Sequence, residues 1–211
     1  MSSLTNKPVI LIGNGGHASV LTDILLQQNR PIIGFTAPEY QTNFFDLPYL
    51  GTDEAIASFH HADVELVLGI GSVNVSSVRS NIFCHFKEKG YTFSSVIHKS
   101  AIISPYSILG EGVQIMAGTV TEAFAEIADN TIINTSSSIN HDCRIGKHCH
   151  IAPGTTLSGN VTVGDFTHIG AGATVIQNVQ IGRNVLIGAG SLVLHTIGDG
   201  RKAIGVPAKE V

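Results

Sequence analysis

His141 and Asp142 are the two adjacent side chains in this sequence best suited to chemistry, in the stretch Asn140-His141-Asp142-Cys143. An imidazole beside a carboxylate is suited to remove a proton from a nucleophile, since the carboxylate stabilises the imidazolium that forms. Taken alone, such a pair also describes an exposed turn histidine next to a solvated acid. Gly159 follows His141 by eighteen residues, and His168 follows His150 by the same interval. A second cluster lies near the N-terminus, Gly13-Asn14-Gly15-Gly16-His17, with Gly69-Ile70-Gly71 further on. Glycines after a strand and before a helix let backbone N–H groups approach a phosphate. The spacing here falls short of a full dinucleotide fingerprint. Cys84, Cys143 and Cys149 make an odd, sparse set without CxxC spacing, which points to neither a disulfide framework nor a metal site.

The elements that position these residues follow two rhythms. From Ile103, every sixth residue to Val193 is aliphatic except Thr121, fifteen positions out of sixteen. Four residues after each comes a small or β-branched residue, from Ser107 through Cys143 and Cys149 to Ser191. A helix of 3.6 residues per turn would scatter such positions around its circumference. A flat sheet would repeat every two residues. A triangular coil with six residues per side fits, with the aliphatic residue pointing inward and the small residue at the corner. On this reading Gly159 stacks beside His141, one coil later. Residues 100–195 then form about five coils. Cys143 and Cys149 occupy the small-residue slot.

Residues 1–98 alternate strands and helices instead. Strands are expected at Val9–Ile12, Pro31–Phe35, Val64–Ile70 and Thr92–Ile97, and helices at Ala18–Gln28, Asp53–Phe59 and Asn74–Lys89. That order implies a small parallel sheet, a Rossmann-like half domain. The expected architecture is therefore an α/β Rossmann-like domain over residues 1–98 followed by a parallel β-helix over 99–211.

The hexad pattern resembles the hexapeptide-repeat acyltransferases, a likeness that implies a left-handed β-helix and a homotrimer. From about residue 8 to the C-terminus the chain is similar to one branch of them. These are bacterial sugar acetyltransferases that act in UDP-N-acetylbacillosamine synthesis, on GDP-perosamine, or on sialic acid oxygens. The residues carrying the likeness are Ile12-Gly13-Asn14-Gly15-Gly16-His17-Ala18, Val96-Ile97-His98-Lys99-Ser100-Ala101, Ile133-Asn134-Thr135, Asn140-His141-Asp142-Cys143 and Ile204-Gly205-Val206-Pro207-Ala208-Lys209.

The resemblance assigns roles. It implies that His141 is the general base, with Asp142 raising its basicity, and that acetyl-CoA is the co-substrate. Cofactor contacts fall on His150, Gly159, Ala171 and Ala189, the two alanines through their backbones. Arg201, Lys202 and Lys209 are further candidates for coenzyme phosphates. The related enzymes place acidic residues after the second strand, where this chain has Phe35-Thr36-Ala37-Pro38-Glu39. The substrate site is then read as Gly15, Gly16, His17 and Thr36 with Gly69 and Gly71, at the carboxyl ends of parallel strands. The implied reaction is N-acetylation of the 4-amino group of a nucleotide-linked 4-amino-4,6-dideoxy sugar, UDP-linked and bacillosamine-type. GDP-perosamine N-acetylation and O-acetylation of a sialic acid-like sugar are the alternatives. Such an enzyme serves polysaccharide biosynthesis.

Composition narrows the field. The net charge of −4, with 13% charged residues, gives no nucleic-acid footprint. The short apolar run at Val9 offers no membrane segment, and the sparse cysteines favour the cytoplasm. No metal is expected. A zinc hydratase built on His148, His150 and His168 and a non-catalytic sugar-nucleotide module are the readings from other classes.

Overall fold

The structure, a computed structural model, describes residues 7–72 and 75–211. It contains two compact units. One comprises the chain to Gly71 with Val78–Val96, and the other Ser72–Ser77 with Ile97–Val211.

The first unit is a parallel sheet of β1 (Val9–Ile12), β2 (Ile32–Thr36), β3 (Tyr49–Gly51) and β4 (Glu65–Leu68), in the order β3-β2-β1-β4. All four residues of β1 are buried, as its central place requires. Helix α1 spans Gly16–Gln27, starting two residues before the expected Ala18, because extended Gly15 serves as its N-cap. Asp53–Ser58 winds as a 3-10 helix. Helix α2 is Val78–Glu88, and the expected start at Asn74 lies outside the described residues. The strand expected over Thr92–Ile97 shrinks to one bridge between Phe93 and Leu66 and a two-residue strand, Val96–Ile97. Phe93 is held by its ring, stacked on Phe83 at 4.4 Å, and Tyr91 donates to the carbonyls of Ile56 and Phe59. Side-chain anchoring here replaces a ladder.

The second unit is a β-helix of two-residue parallel strands. One face stacks six strands, from Ile102–Ile103 to Val120–Thr121, Ser138–Ile139, Thr156–Leu157, Thr174–Val175 and Leu192–Val193. A second face stacks five, from Ile108–Leu109 through Glu126–Ile127, Arg144–Ile145 and Thr162–Val163 to Gln180–Ile181. The third runs from Gln114–Ile115 through Ile132–Ile133, His150–Ile151 and His168–Ile169 to Leu186–Ile187. Lys202–Ile204 and the antiparallel Lys209–Glu210 close that face. The inward aliphatic row is buried from Ile115 to Val193, as the six-residue period requires.

The corners differ from expectation. The small residues do not sit there. Cys143, Cys149, Val161, Ala173 and their equivalents point inward and join the core. The corner is the residue before each of them. Every sixth residue from Gly112 to Gly190 has positive φ, including Asn130, Asp142, Asn160, Asn178 and Asn184. A left-handed turn is least costly for Gly, Asn and Asp, which explains their recurrence. Gly110, Gly146 and Gly182 have another cause. A Cβ on each would stand 2.5, 2.4 and 2.3 Å from Oδ1 of Asp129, Asp165 and Asp199, which accept from the N–H groups of Glu111, Lys147 and Arg183.

Thr121, the exception in the aliphatic row, is buried between Ile103 and Ile139, and its Oγ1 has no partner among the described residues. Thr121→Val keeps the shape and removes the unsatisfied hydroxyl. We expect it to raise stability by about 1 kcal/mol, visible as a melting temperature roughly 2–4 °C higher. A lower melting temperature would show that the hydroxyl is satisfied.

Candidate active site

His141 and Asp142 form the corner between the first and second faces. Asp142 has φ 60°, a conformation Asp tolerates, and this turns its carboxylate back onto the preceding residue. His141 Nδ1 lies 2.7 Å from Asp142 Oδ2. The two side chains are 61% and 53% exposed, so the pair adds little to stability. Its consequence is orientation. With the carboxylate accepting from Nδ1–H, the basic lone pair is left on Nε2.

Gly159 lies directly beside that nitrogen. A Cβ at this position would stand 2.6 Å from both Nε2 and Cε1 of His141. The imidazole can occupy its place only because residue 159 has no side chain. The Gly159 carbonyl accepts from Asn178 N, and among the described residues no acceptor takes its N–H. An N–H so placed can receive a developing oxyanion. Gly159→Ala displaces the ring or fills the space at Nε2. We expect kcat to fall by about 10²-fold, the scale of a misplaced reacting group, with melting unchanged within about 0.5 kcal/mol. Wild-type kcat in this variant would contradict the placement.

His150 stands elsewhere on the circumference, on the third face. Although in an outward row, it is buried. Its Nε2 meets Asn134 Nδ2 at 3.0 Å and its Nδ1 meets the Ser72 carbonyl at 2.7 Å. His168, one coil on, packs edge-on against it at 4.9 Å. Burial holds the His168 pKa below the ordinary histidine value, and its Nδ1 has no partner among the described residues. Ala171 and Ala189 are exposed one coil apart at the corner between the third and first faces, joined by Gly190 N to the Ala171 carbonyl. One chain thus brings Gly159 to His141 but not His150, Ala171 or Ala189. Asn134 was visible in sequence only as part of a motif, and Ser72 carried no signal.

His148 turns away from the His150–His168 pair, stacking on Phe166 at 5.0 Å and meeting Asn130 through Nδ1. No cluster of three His, Cys, Asp or Glu able to hold a metal occurs among the described residues. Cys143 and Cys149 donate to the carbonyls of Ser158 and Gly164. Burial raises both thiol pKa values, that of Cys149 to about 12. Arg201 is drawn into the C-terminal hairpin by Glu210 at 3.6 Å.

In the first unit, a Cβ at Gly15 or Gly16 would meet nothing within 4 Å, so the start of α1 is open. Two of the expected substrate residues are packed within the fold. Thr36 is fully buried, and its hydroxyl donates to Asp53 Oδ1 at 2.6 Å. Gly69 is a packing glycine, where a Cβ would meet Ala18 Cβ at 2.8 Å. Gly71 lies against His17, 3.2 Å from its Cβ to the position a Cβ would take. Asn14 binds Gln41, Asn43 and the Thr42 carbonyl, so the loop after β2 closes on the glycine turn. Arg79 is buried beneath, donating to the carbonyls of Leu68 and Ile70, and burial lowers its pKa to about 9.

Comparison with known proteins accounts for both units. Residues 8–86 match the PglD N-terminal domain, and residues 124–159 and 160–195 match the bacterial transferase hexapeptide (six repeats). The perosamine N-acetyltransferase of Caulobacter crescentus, solved with CoA and GDP-perosamine, is 35% identical over 100% of this chain and 99% of its own, with a TM-score of 0.91. The acetyltransferase domain of PglB from Neisseria gonorrhoeae is 30% identical over 97% and 100%, with a TM-score of 0.92. That domain has also been solved with acetyl coenzyme A. An acyl-[acyl-carrier-protein]–UDP-N-acetylglucosamine O-acyltransferase of Pseudomonas paraeruginosa is 38% identical over 61 residues; the match spans 28% of this chain and 24% of that protein's length. No helix among the described residues is long and apolar enough to cross a membrane. With both units matched and whole-chain likeness at this level, the chain belongs to the bacterial sugar acetyltransferases of the hexapeptide-repeat family, left-handed β-helix acyltransferases with a PglD-type N-terminal domain.

Proposed function

We propose that the protein transfers the acetyl group of acetyl-CoA to the 4-amino group of a nucleotide-linked 4-amino-4,6-dideoxy sugar. The observation that carries this is the His141–Asp142 pair, with Nε2 facing the side-chain-free Gly159. A sugar amine attacks a thioester only in its free form. Nε2 takes the proton as the N–C bond forms, Asp142 stabilises the imidazolium, and the Gly159 N–H supports the oxyanion. The C–S bond then breaks and the proton passes to the leaving thiolate. His150, Ala171 and Ala189 contact the coenzyme. Gly15, Gly16, His17 and Gly71 surround the acceptor's nucleotide end.

The assembly is a homotrimer in the cytoplasm. The outward row of the first face is uncharged, from exposed Ile102 to the half-buried Val120, Ser138, Thr156, Thr174 and Leu192, which suits packing against another copy. In a trimer a neighbouring chain supplies the His150 face that one chain holds apart from His141. Sedimentation of an active monomer would contradict this.

A UDP-linked, bacillosamine-type acceptor for polysaccharide synthesis is the first reading. A GDP-linked perosamine-type acceptor is the second. It is favoured by the 35% identity to the Caulobacter enzyme against 30% to the Neisseria domain. Thiol release from acetyl-CoA with UDP-, GDP- and CMP-linked amino sugars tests the proposal. Release with a UDP- or GDP-linked 4-amino sugar is expected. Release only with a sialic acid-like sugar would move the reading to O-acetylation.

A further inference from the structure

Two large aromatic side chains stand exposed on the corner that carries His141. Tyr106 and Phe124 are 67% and 60% exposed, their rings 5.8 Å apart and inclined at 39°. The corner column reads Tyr106, Phe124, Asp142, Asn160, Asn178, one residue per coil. Asp142 N donates to the Ala123 carbonyl at 3.1 Å, which ties the Phe124 turn to the His141 turn. Neighbouring coils in such a stack are about 4.8 Å apart. Phe124 thus stands one coil before Asp142, while His141 itself lies between Ala123 and Gly159, so the aromatic pair borders the His141–Asp142 turn on its N-terminal side.

Neither local conformation nor burial accounts for Phe124. It has φ 62°, a region costly for a bulky side chain, where Asn160 and Asn178 serve later in the column. Phe166 shares that conformation, but it is half-buried and stacked on His148. The ring beside Phe124 is the equally exposed Tyr106.

We infer that Tyr106 and Phe124 form the platform for the apolar face of the acceptor sugar, and that they read its C6 methyl group. The inference rests on the acetyl transfer proposed above. The acceptor's amine must reach Nε2 of His141, and the exposed aromatic pair stands on the same corner, on the coils just before it. In a 4-amino-4,6-dideoxyhexose, C6 is two bonds from the carbon bearing the amine. The C–H edge and methyl group fit an aromatic surface, while a C6 hydroxyl would be desolvated there without a partner.

The test uses the full-length protein with acetyl-CoA and two nucleotide-linked acceptors, a 4-amino-4,6-dideoxyhexose and its 6-hydroxy counterpart. The wild type should favour the 6-deoxy acceptor about tenfold in kcat/KM, a discrimination of the size one hydroxyl gives at an apolar surface. In Phe124→Asn, and in Tyr106→Ser, the acceptor KM should rise several-fold and the preference should fall towards one. The KM for acetyl-CoA should hold. Asn suits the turn, so Phe124→Asn should melt no lower than the wild type. An unchanged preference or acceptor KM would overturn the inference. So would loss of the oligomer in sedimentation, which would make the pair a subunit contact. Failure of the wild type with both acceptors would instead sink the proposed activity, and the ledge with it.

Discussion

His141→Ala should lower kcat for acetyl transfer by about 10²- to 10⁴-fold, the usual loss on removing a general base. The KM for acetyl-CoA should barely move, because the missing interaction belongs to the transition state. The geometry supports both parts. Nε2 is the nitrogen left unpaired by Asp142, and it lies against Gly159, which has no side chain to displace it. Asp142→Asn keeps the imidazole but removes the charge that fixes its tautomer, so its kcat should fall between wild type and His141→Ala. The pair is mostly exposed, and melting temperatures of both variants should stay close to wild type. Wild-type turnover by His141→Ala with a true acceptor would assign the base to another group.

Ile145→Asp should prevent folding. Ile145 is 3% exposed in the core of the β-helix, and a carboxylate there has no partner. The cost is several kcal/mol, comparable with the roughly 5–15 kcal/mol that holds a typical domain together. Arg144→Asp supplies the contrast. One residue earlier on the same strand, Arg144 is exposed and reaches Glu126 at 3.7 Å. Its replacement should leave a soluble, folded protein, with like charges on adjacent coils and a minor cost. Soluble, folded Ile145→Asp would mean that the strand's inward and outward residues are exchanged.

The β-helix was legible because burial selects one residue in six, coil after coil. Residues eighteen apart meet by the same regularity, so the contacts of Gly159 with His141 and of His168 with His150 could be read in advance. The phase of the corners could not. The inward small residue and the left-handed turn residue recur with one period and differ by one position, and only φ separates them. Contacts outside the repeat left no periodic trace. Thr36 reaches Asp53, Asn14 reaches Gln41, and His150 reaches Ser72 across loops whose paths the sequence does not encode as a pattern. In the first unit, glycines of different purpose look alike. Gly15 faces open space and Gly69 fits against Ala18, a difference set by the packing of α1 on β4.

The most direct test of the account is the chemical identity of the product formed from acetyl-CoA and the nucleotide-linked 4-amino-4,6-dideoxy sugar. NMR of the purified product should show one acetyl group in amide linkage to the C4 nitrogen, formed by the wild type and lost with His141→Ala. An acetyl ester on a sugar oxygen, or recovery of the sugar unmodified from every acceptor tried, would contradict it.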